Sequence, residues 1–203
     1  MTLIRSNPDF KPELVRTAMD FFKIEKEFDE CYKCFREYDL LCNRLSEISG
    51  KHIDSHIILL MILNQLKGHL DDIHIDALNE FDHMTQNLFL EHPPFFKHEG
   101  IPALMENIRQ QKKGMSLISN TGFIKGDTLK KTAVLENILA YFDFTLFSDE
   151  QGISKPNKEM FQLSFNNIQN HQNIQKSEVL HIGDNEIADY QGALNFGYNA
   201  LLI

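Results

Sequence analysis

The chain has no tryptophan, three cysteines and six prolines in 203 residues, and fewer basic than acidic side chains. Each shortage excludes something. Cys31, Cys34 and Cys42 are an odd number in a chain of this size, which suits reduced thiols rather than a disulfide framework. Twenty Lys and Arg against 29 Asp and Glu leave a formal charge of -9, which argues against a nucleic-acid partner or an anionic membrane surface. An anionic substrate would then need local help. No apolar run is long enough to span a bilayer; the longest, HIILLMIL at 56 to 63, is a buried-helix candidate. The N-terminus lacks the basic-then-apolar layout of a signal peptide, so cytoplasmic residence is the expectation. Internal repeats and low-complexity tracts are also missing.

What is present reads as a soluble globular protein, 42% hydrophobic and 24% charged. The first half is helical in pattern. Asp9 and Pro12 start a helix through Phe22. From Phe28 the apolar positions Cys31, Phe35, Tyr38, Cys42, Leu45 and Ile48 recur at helical steps until Gly50. Asp54 or Ser55 can cap the next helix, and Asp76 the one after it. At EHPPFF the pattern changes. A helix over 101 to 112 leads to the apolar run MSLIS, then a helix over 127 to 139, the strand FDFTLFS, a helix over 157 to 169, the strand EVLHI, a helix over 186 to 196 and the run NALLI. Strand and helix in alternation indicate a parallel sheet with helices on both faces. The expected fold class is α/β, a parallel Rossmann-like sheet core with an inserted helical cap: residues 1 to 8 and 92 to 203 for the core, 9 to 91 for the cap.

In open parallel sheets, sites form outside the carboxyl ends of the strands. The strand VLHI delivers Gly183 and Asp184, with Asp189 five residues further on. Two carboxylates at one strand tip are hard oxygen ligands suited to Mg²⁺, although a helix cap and a solvated surface acid would look the same. The strand MSLI delivers Ser119, Asn120, Thr121 and Gly122, a hydroxyl-bearing turn able to hold phosphate oxygens and equally an ordinary loop composition. Lys155 stands before Pro156 and a helix start, where an ammonium could neutralise phosphate or crowded carboxylates, or be a solvated loop lysine. Taken together, the three tips read as a phosphate-and-magnesium constellation.

The order and wording of these segments resemble the haloacid dehalogenase-like (HAD) hydrolases, a superfamily dominated by Mg²⁺-dependent phosphatases. IPALMENIRQQKKGMSLISNTG is similar to the segment carrying their second motif, with Ser119 as its hydroxyl. FDFTLFSDEQGISKPNKEMFQLS is similar to the one carrying the third-motif lysine, Lys155. VLHIGDNEIADYQGALNFGYNALLI is similar to the fourth motif, with Asp184 and Asp189 as its acids. The resemblance implies a phosphatase for a small phosphorylated metabolite, with Ser119 and Lys155 catalytic, Ser119, Asn120, Lys155 and Thr2 binding phosphate, and Asp184 and Asp189 at the metal. It further implies an aspartate nucleophile in a first motif, D-x-D-x-T-L. Setting Thr2 and Leu3 on the final T-L puts both aspartates ahead of Met1, and no Asp-x-Asp pair occurs in the 203 residues. The expectation is therefore that Met1 is an internal methionine of a longer protein and that the chain by itself is inactive. A non-catalytic binding protein, a haloacid dehalogenase and a phosphomutase are the alternatives. No motif signals oligomeric state.

Three other patterns carry less. Cys31 and Cys34 form a C-x-x-C inside an amphipathic helix with no second pair, which favours packing over zinc or redox chemistry. His52 and His56 lack the glutamate of the H-E-x-x-H zinc signature, and GFIKGDT at 122 to 128 lacks the G-K-[ST] ending of a phosphate loop.

Overall fold

The computed structural model describes residues 2–171 and 173–203. Four helices fill the first half: α1 (Phe10–Phe22), α2 (Phe28–Ser49), α3 (Ser55–Lys67) and α4 (Ile75–Glu91). Their ends follow local chemistry. Gly50 and Gly68, at φ of 65° and 78°, close α2 and α3 in the left-handed conformation that glycine adopts without a Cβ clash. The Asp54 carboxylate accepts the His56 N–H at 2.8 Å and caps α3. α4 begins a residue ahead of Asp76, which lies inside the first turn, where a negative charge suits the helix dipole.

The short strand β1 (Ile4–Arg5) pairs antiparallel with β2 (Phe95–Phe96), Ile4 opposite Phe96. The chain thus leaves and re-enters the α/β half at one place, and the four helices stand as an insertion between paired strands.

The second half runs α5 (Ile101–Gln110), β3 (Ser116–Ser119), α6 (Gly126–Lys130), α7 (Ala133–Leu139), β4 (Phe144–Phe147), α8 (Ser148–Gln151), α9 (Lys158–His171), β5 (Leu180–Gly183), α10 (Gly192–Phe196) and β6 (Asn199–Leu202). β3 pairs in parallel with β4, Ser119 opposite Phe147, and β5 pairs in parallel with β6, Gly183 opposite Leu202. This is the expected α/β class with its helical cap. Two expected helices differ in detail. The segment over 127 to 139 breaks at Thr132, whose extended backbone and Oγ1 bond to the Leu129 carbonyl, 2.7 Å, separate α6 from α7. The segment over 186 to 196 opens with a π-helical turn, Glu186–Gln191, because the Asn185 side chain accepts the N–H groups of both Ile187 and Ala188.

One apolar cluster crosses both halves, joining Leu14, Phe35, Ile62, Phe81 and Phe89 of the helices to Phe123, Leu135, Ile138 and Phe147. Phe35 stacks on Phe123 with ring centroids 6.1 Å apart. A second cluster, Phe161, Phe165, Ala193, Phe196 and Tyr198, holds α9 against α10 and β6. Burial of each large side chain is worth about 1.5–3 kcal/mol, so the strand tips stand on a framework set by these contacts.

Cys31, Cys34 and Cys42 are buried and free, as packing residues should be. Burial pushes all three thiols up, Cys34 to about 11. The native protein is predicted to leave a thiol-disulfide reagent unreacted at neutral pH, while all three thiols react after unfolding in guanidinium. Rapid reaction of even one thiol in the folded chain would contradict this placement.

Candidate active site

β3 and β5 end on the same cleft, a cavity of about 860 Å³ bounded by the loops after both strands, by residues 2–8 and by α1 and α2. At the tip of β3 the Ser119 hydroxyl donates weakly to the Asn120 carbonyl, 3.3 Å. Asn120 spends its amide on the chain opposite: Nδ2 donates to the Lys155 carbonyl at 2.9 Å and Oδ1 accepts the Lys155 N–H at 2.8 Å. Its role in this geometry is to fix the Lys155 backbone, next to a cis Lys155–Pro156 peptide. Thr121 is tied down in turn, its N–H donating to Ser148 Oγ at 2.8 Å and its hydroxyl to Asp149 at 2.7 Å.

Lys155 is buried, and its ammonium donates to the Ile118 carbonyl of β3 at 2.8 Å and to Asp189 Oδ1 at 2.5 Å. Since Asp189 follows β5, this side chain ties the tip of one parallel pair to the tip of the other. Asp189 is buried too. Its second oxygen accepts the Asn185 N–H at 3.1 Å, and His181 Nε2 lies 3.2 Å from the first. A carboxylate only accepts, so His181 carries its proton on Nε2. Burial pushes the Asp189 carboxyl up, but the His181 hydrogen bond and the Lys155 charge outweigh it and hold the group well below the usual carboxylate range. Gly183 makes the close approach possible, because a Cβ there would run into the Asp189 carboxylate.

The two acids of the fourth segment therefore stand in different places. Asp184 is exposed to the cleft and accepts the Thr2 hydroxyl at 3.2 Å, whereas Asp189 faces inward to Lys155 and His181. Among the described residues no group of three or more His, Cys, Asp or Glu converges as a ready metal cage. Asp184 is nonetheless a hard oxygen donor open to the cleft, and Mg²⁺ commonly takes one or two carboxylates with phosphate and water for the rest.

Sequence reasoning missed the opposite wall. α2 lines the cleft with Tyr32, Arg36, Leu40, Asn43 and Glu47, and Glu47 Oε1 accepts the Asn185 side-chain amide at 2.7 Å, beside Asp184. Polar residues on a helix in an otherwise apolar pattern read as a solvated face; only the fold turns that face inward. His181, inside an apolar strand, gave no signal either.

The fold and the ordered strand tips define a hydrolase of the haloacid dehalogenase-like type. The family profile described as haloacid dehalogenase-like hydrolase matches residues 30–203, and the chain belongs to that family. It is 32% identical over 100 residues to the pyrimidine 5'-nucleotidase YjjG of Escherichia coli K12, a match spanning 48% of this chain and 40% of that protein. The chain spans about two fifths of that curated relative. Among solved structures it resembles the magnesium-bound HAD-hydrolase YfnB of Bacillus subtilis (17% identity, TM-score 0.71, covering 100% of this chain and 84% of that one). It also resembles a HAD phosphatase from Thermococcus onnurineus (19%, 0.64, covering 100% and 81%) and a 2-haloacid dehalogenase from Pseudomonas syringae pv. Tomato DC3000 (17%, 0.62, covering 99% and 81%). At those identities the likeness is one of fold.

The Lys155–Asp189 pair generates a stability prediction. Removing one partner of a buried ion pair strands the other, at a cost of about 3–5 kcal/mol, so Lys155→Met should lower stability by that order. The double variant Lys155→Met/Asp189→Leu should recover much of it. Because the folded Asp189 carboxyl sits below its unfolded value, its contribution is complete above about pH 4 and is lost as the pH falls further. Urea titrations of both variants, with Asp189→Asn followed from neutral to acid pH, measure all three effects. Equal stability of Lys155→Met and the parent would remove the pair from its structural role.

Proposed function

We propose that these residues form the phosphate- and metal-binding part of a Mg²⁺-dependent phosphatase acting on a small phosphate monoester. The observation that carries the reading is the buried Lys155 ammonium, held by the Ile118 carbonyl and Asp189 at the mouth where Ser119 and Asp184 also emerge. An ammonium has three N–H donors, and two are used within the protein. The third remains for an anionic oxygen. The Ser119 hydroxyl, engaged only with its neighbour's carbonyl at 3.3 Å, turns to a second oxygen of the same group. Asn120 keeps the lysine backbone in register, while Asp189, itself held by His181, aims the ammonium.

Asp184 is the residue that would hold Mg²⁺, which when bound neutralises charge on the phosphoryl oxygens. Thr2 donates to Asp184, and this orients the carboxylate. The helical wall faces the strand tips across the cleft, where it can contact the leaving group. The aspartate that accepts the phosphoryl group in the family-like mechanism is not one of these 203 residues, so the chain alone is not expected to turn over phosphate esters. The Escherichia coli relative is a nucleotidase by name, which favours a phosphate ester over a haloacid.

Calorimetric titration of the chain with inorganic phosphate tests the reading. Binding should require Mg²⁺ and weaken at least about tenfold, or roughly 1.4 kcal/mol, in Asp184→Asn. Phosphate affinity indifferent to both Mg²⁺ and Asp184→Asn would sink the metal assignment, and release of phosphate from an ester by the purified chain would overturn its predicted inactivity.

A further inference from the structure

The wall that α2 presents to the strand tips carries two guanidinium groups without an ion-pair partner among the described residues. Tyr32, Arg36, Leu40, Asn43 and Glu47 recur at steps of four, four, three and four residues, which a helix places on one side, and Arg44 flanks them. The acids of this wall are engaged. Asp39 accepts Lys11 Nζ at 2.7 Å, and Glu47 accepts Asn185 at 2.7 Å. Arg36 and Arg44 have no ion-pair partner among the described residues, although both line the cleft. The bases lining the cleft, Lys11, Arg36, Arg44 and Lys155, equal in number its acids, Asp39, Glu47, Asp184 and Asp189, so the two guanidinium groups stand as unpaired donors at the cleft rather than as a net positive field.

Helix geometry sets their reach. Glu47, docked on Asn185 beside Asp184, marks the end of the wall nearest the strand tips. Arg44 lies about 4.5 Å and Arg36 about 16 Å back along the helix axis. A phosphate at Ser119 and Lys155 would have the rest of its ester in the cleft that this wall lines. A guanidinium binds carboxylate or phosphate through paired N–H donors, a geometry that neutral hydroxyls do not match.

We propose that Arg36 and Arg44 bind a second oxyanion on the leaving group, so that the preferred ligands are phosphate monoesters carrying a carboxylate or another phosphate. This rests on the phosphatase reading of the strand tips. It adds a substrate class to that reading.

The test is calorimetry on the 203-residue chain in saturating Mg²⁺ with three probes of similar size: glycerol 3-phosphate, 3-phosphoglycerate and 1,3-propanediol bisphosphate. At least one doubly anionic probe should bind about tenfold more tightly than glycerol 3-phosphate, and which of the two does so separates carboxylate from phosphate recognition. In Arg36→Gln/Arg44→Gln that ratio should fall to near one. Lys33→Gln removes the same charge from an α2 residue that does not line the cleft, so it should keep the ratio. A ratio near one in the parent chain, or a preference that survives the double arginine variant, overturns the inference while leaving the phosphatase reading intact. Failure of every probe and of inorganic phosphate to bind sinks both.

Discussion

The buried contact between Lys155 and Asp189 is the constraint on which the rest of the site depends. Each group alone would be costly to bury, and each is affordable here because the other is present, with the Ile118 carbonyl, His181 and the Asn185 N–H taking up the remaining hydrogen-bonding capacity. The pair also fixes geometry. It joins a residue that follows β4 to one that follows β5 through a carbonyl of β3, so three strand ends are held at one point. The π-helical turn and Gly183 are local adaptations to it: the wide turn brings Asp189 under the strand tip, and the absent Cβ leaves room for its carboxylate.

The helical insertion is anchored by backbone as well as by apolar contact. The Gly50 carbonyl accepts the Ser154 N–H at 3.0 Å and the Asn157 side chain at 3.1 Å, and His52 N–H donates to the Gly152 carbonyl at 3.2 Å. These bonds seat the α2–α3 turn on the loop that carries Lys155. Burial lowers the His52 imidazole from its ordinary value against the pull of Asp149 and Asp54, so near neutral pH the ring meets Ser148 as a neutral partner at 3.1 Å. The loop bearing Lys155 thus has Asn120 on one side and the helical layer on the other.

Much of this was legible in the sequence because it is periodic or local. Alternating strand and helix patterns gave the parallel core, and Gly50, Asp54 and the prolines at 93 and 94 gave helix and segment limits close to those observed. Ser119, Lys155, Asp184 and Asp189 were legible as residues at strand ends. Their partners were not. Asn120 and Lys155 are 35 residues apart and Glu47 and Asn185 are 138 apart, and no spacing rule connects such pairs. The break at Thr132 and the π turn were hidden for a similar reason: each turns on one side-chain-to-backbone hydrogen-bond arrangement in a segment whose apolar pattern suits a continuous helix.

The two aspartates of the fourth segment show how one fold separates charge roles over five residues. Asp189, enclosed with a cation and an imidazole, is committed to holding Lys155. Asp184 lies exposed at the cleft and accepts the Thr2 hydroxyl. The same logic governs the chain as a whole. A net charge of -9 opposes the approach of an anion at long range, but at physiological salt that field is screened beyond about 8 Å. Within that distance the groups lining the cleft count, and there four bases, Lys11, Arg36, Arg44 and Lys155, balance four acids, Asp39, Glu47, Asp184 and Asp189. Donors able to meet an anion are therefore a short-range property of the assembled cleft, and they depend on the fold bringing α2 within reach of strand tips more than seventy residues away in sequence.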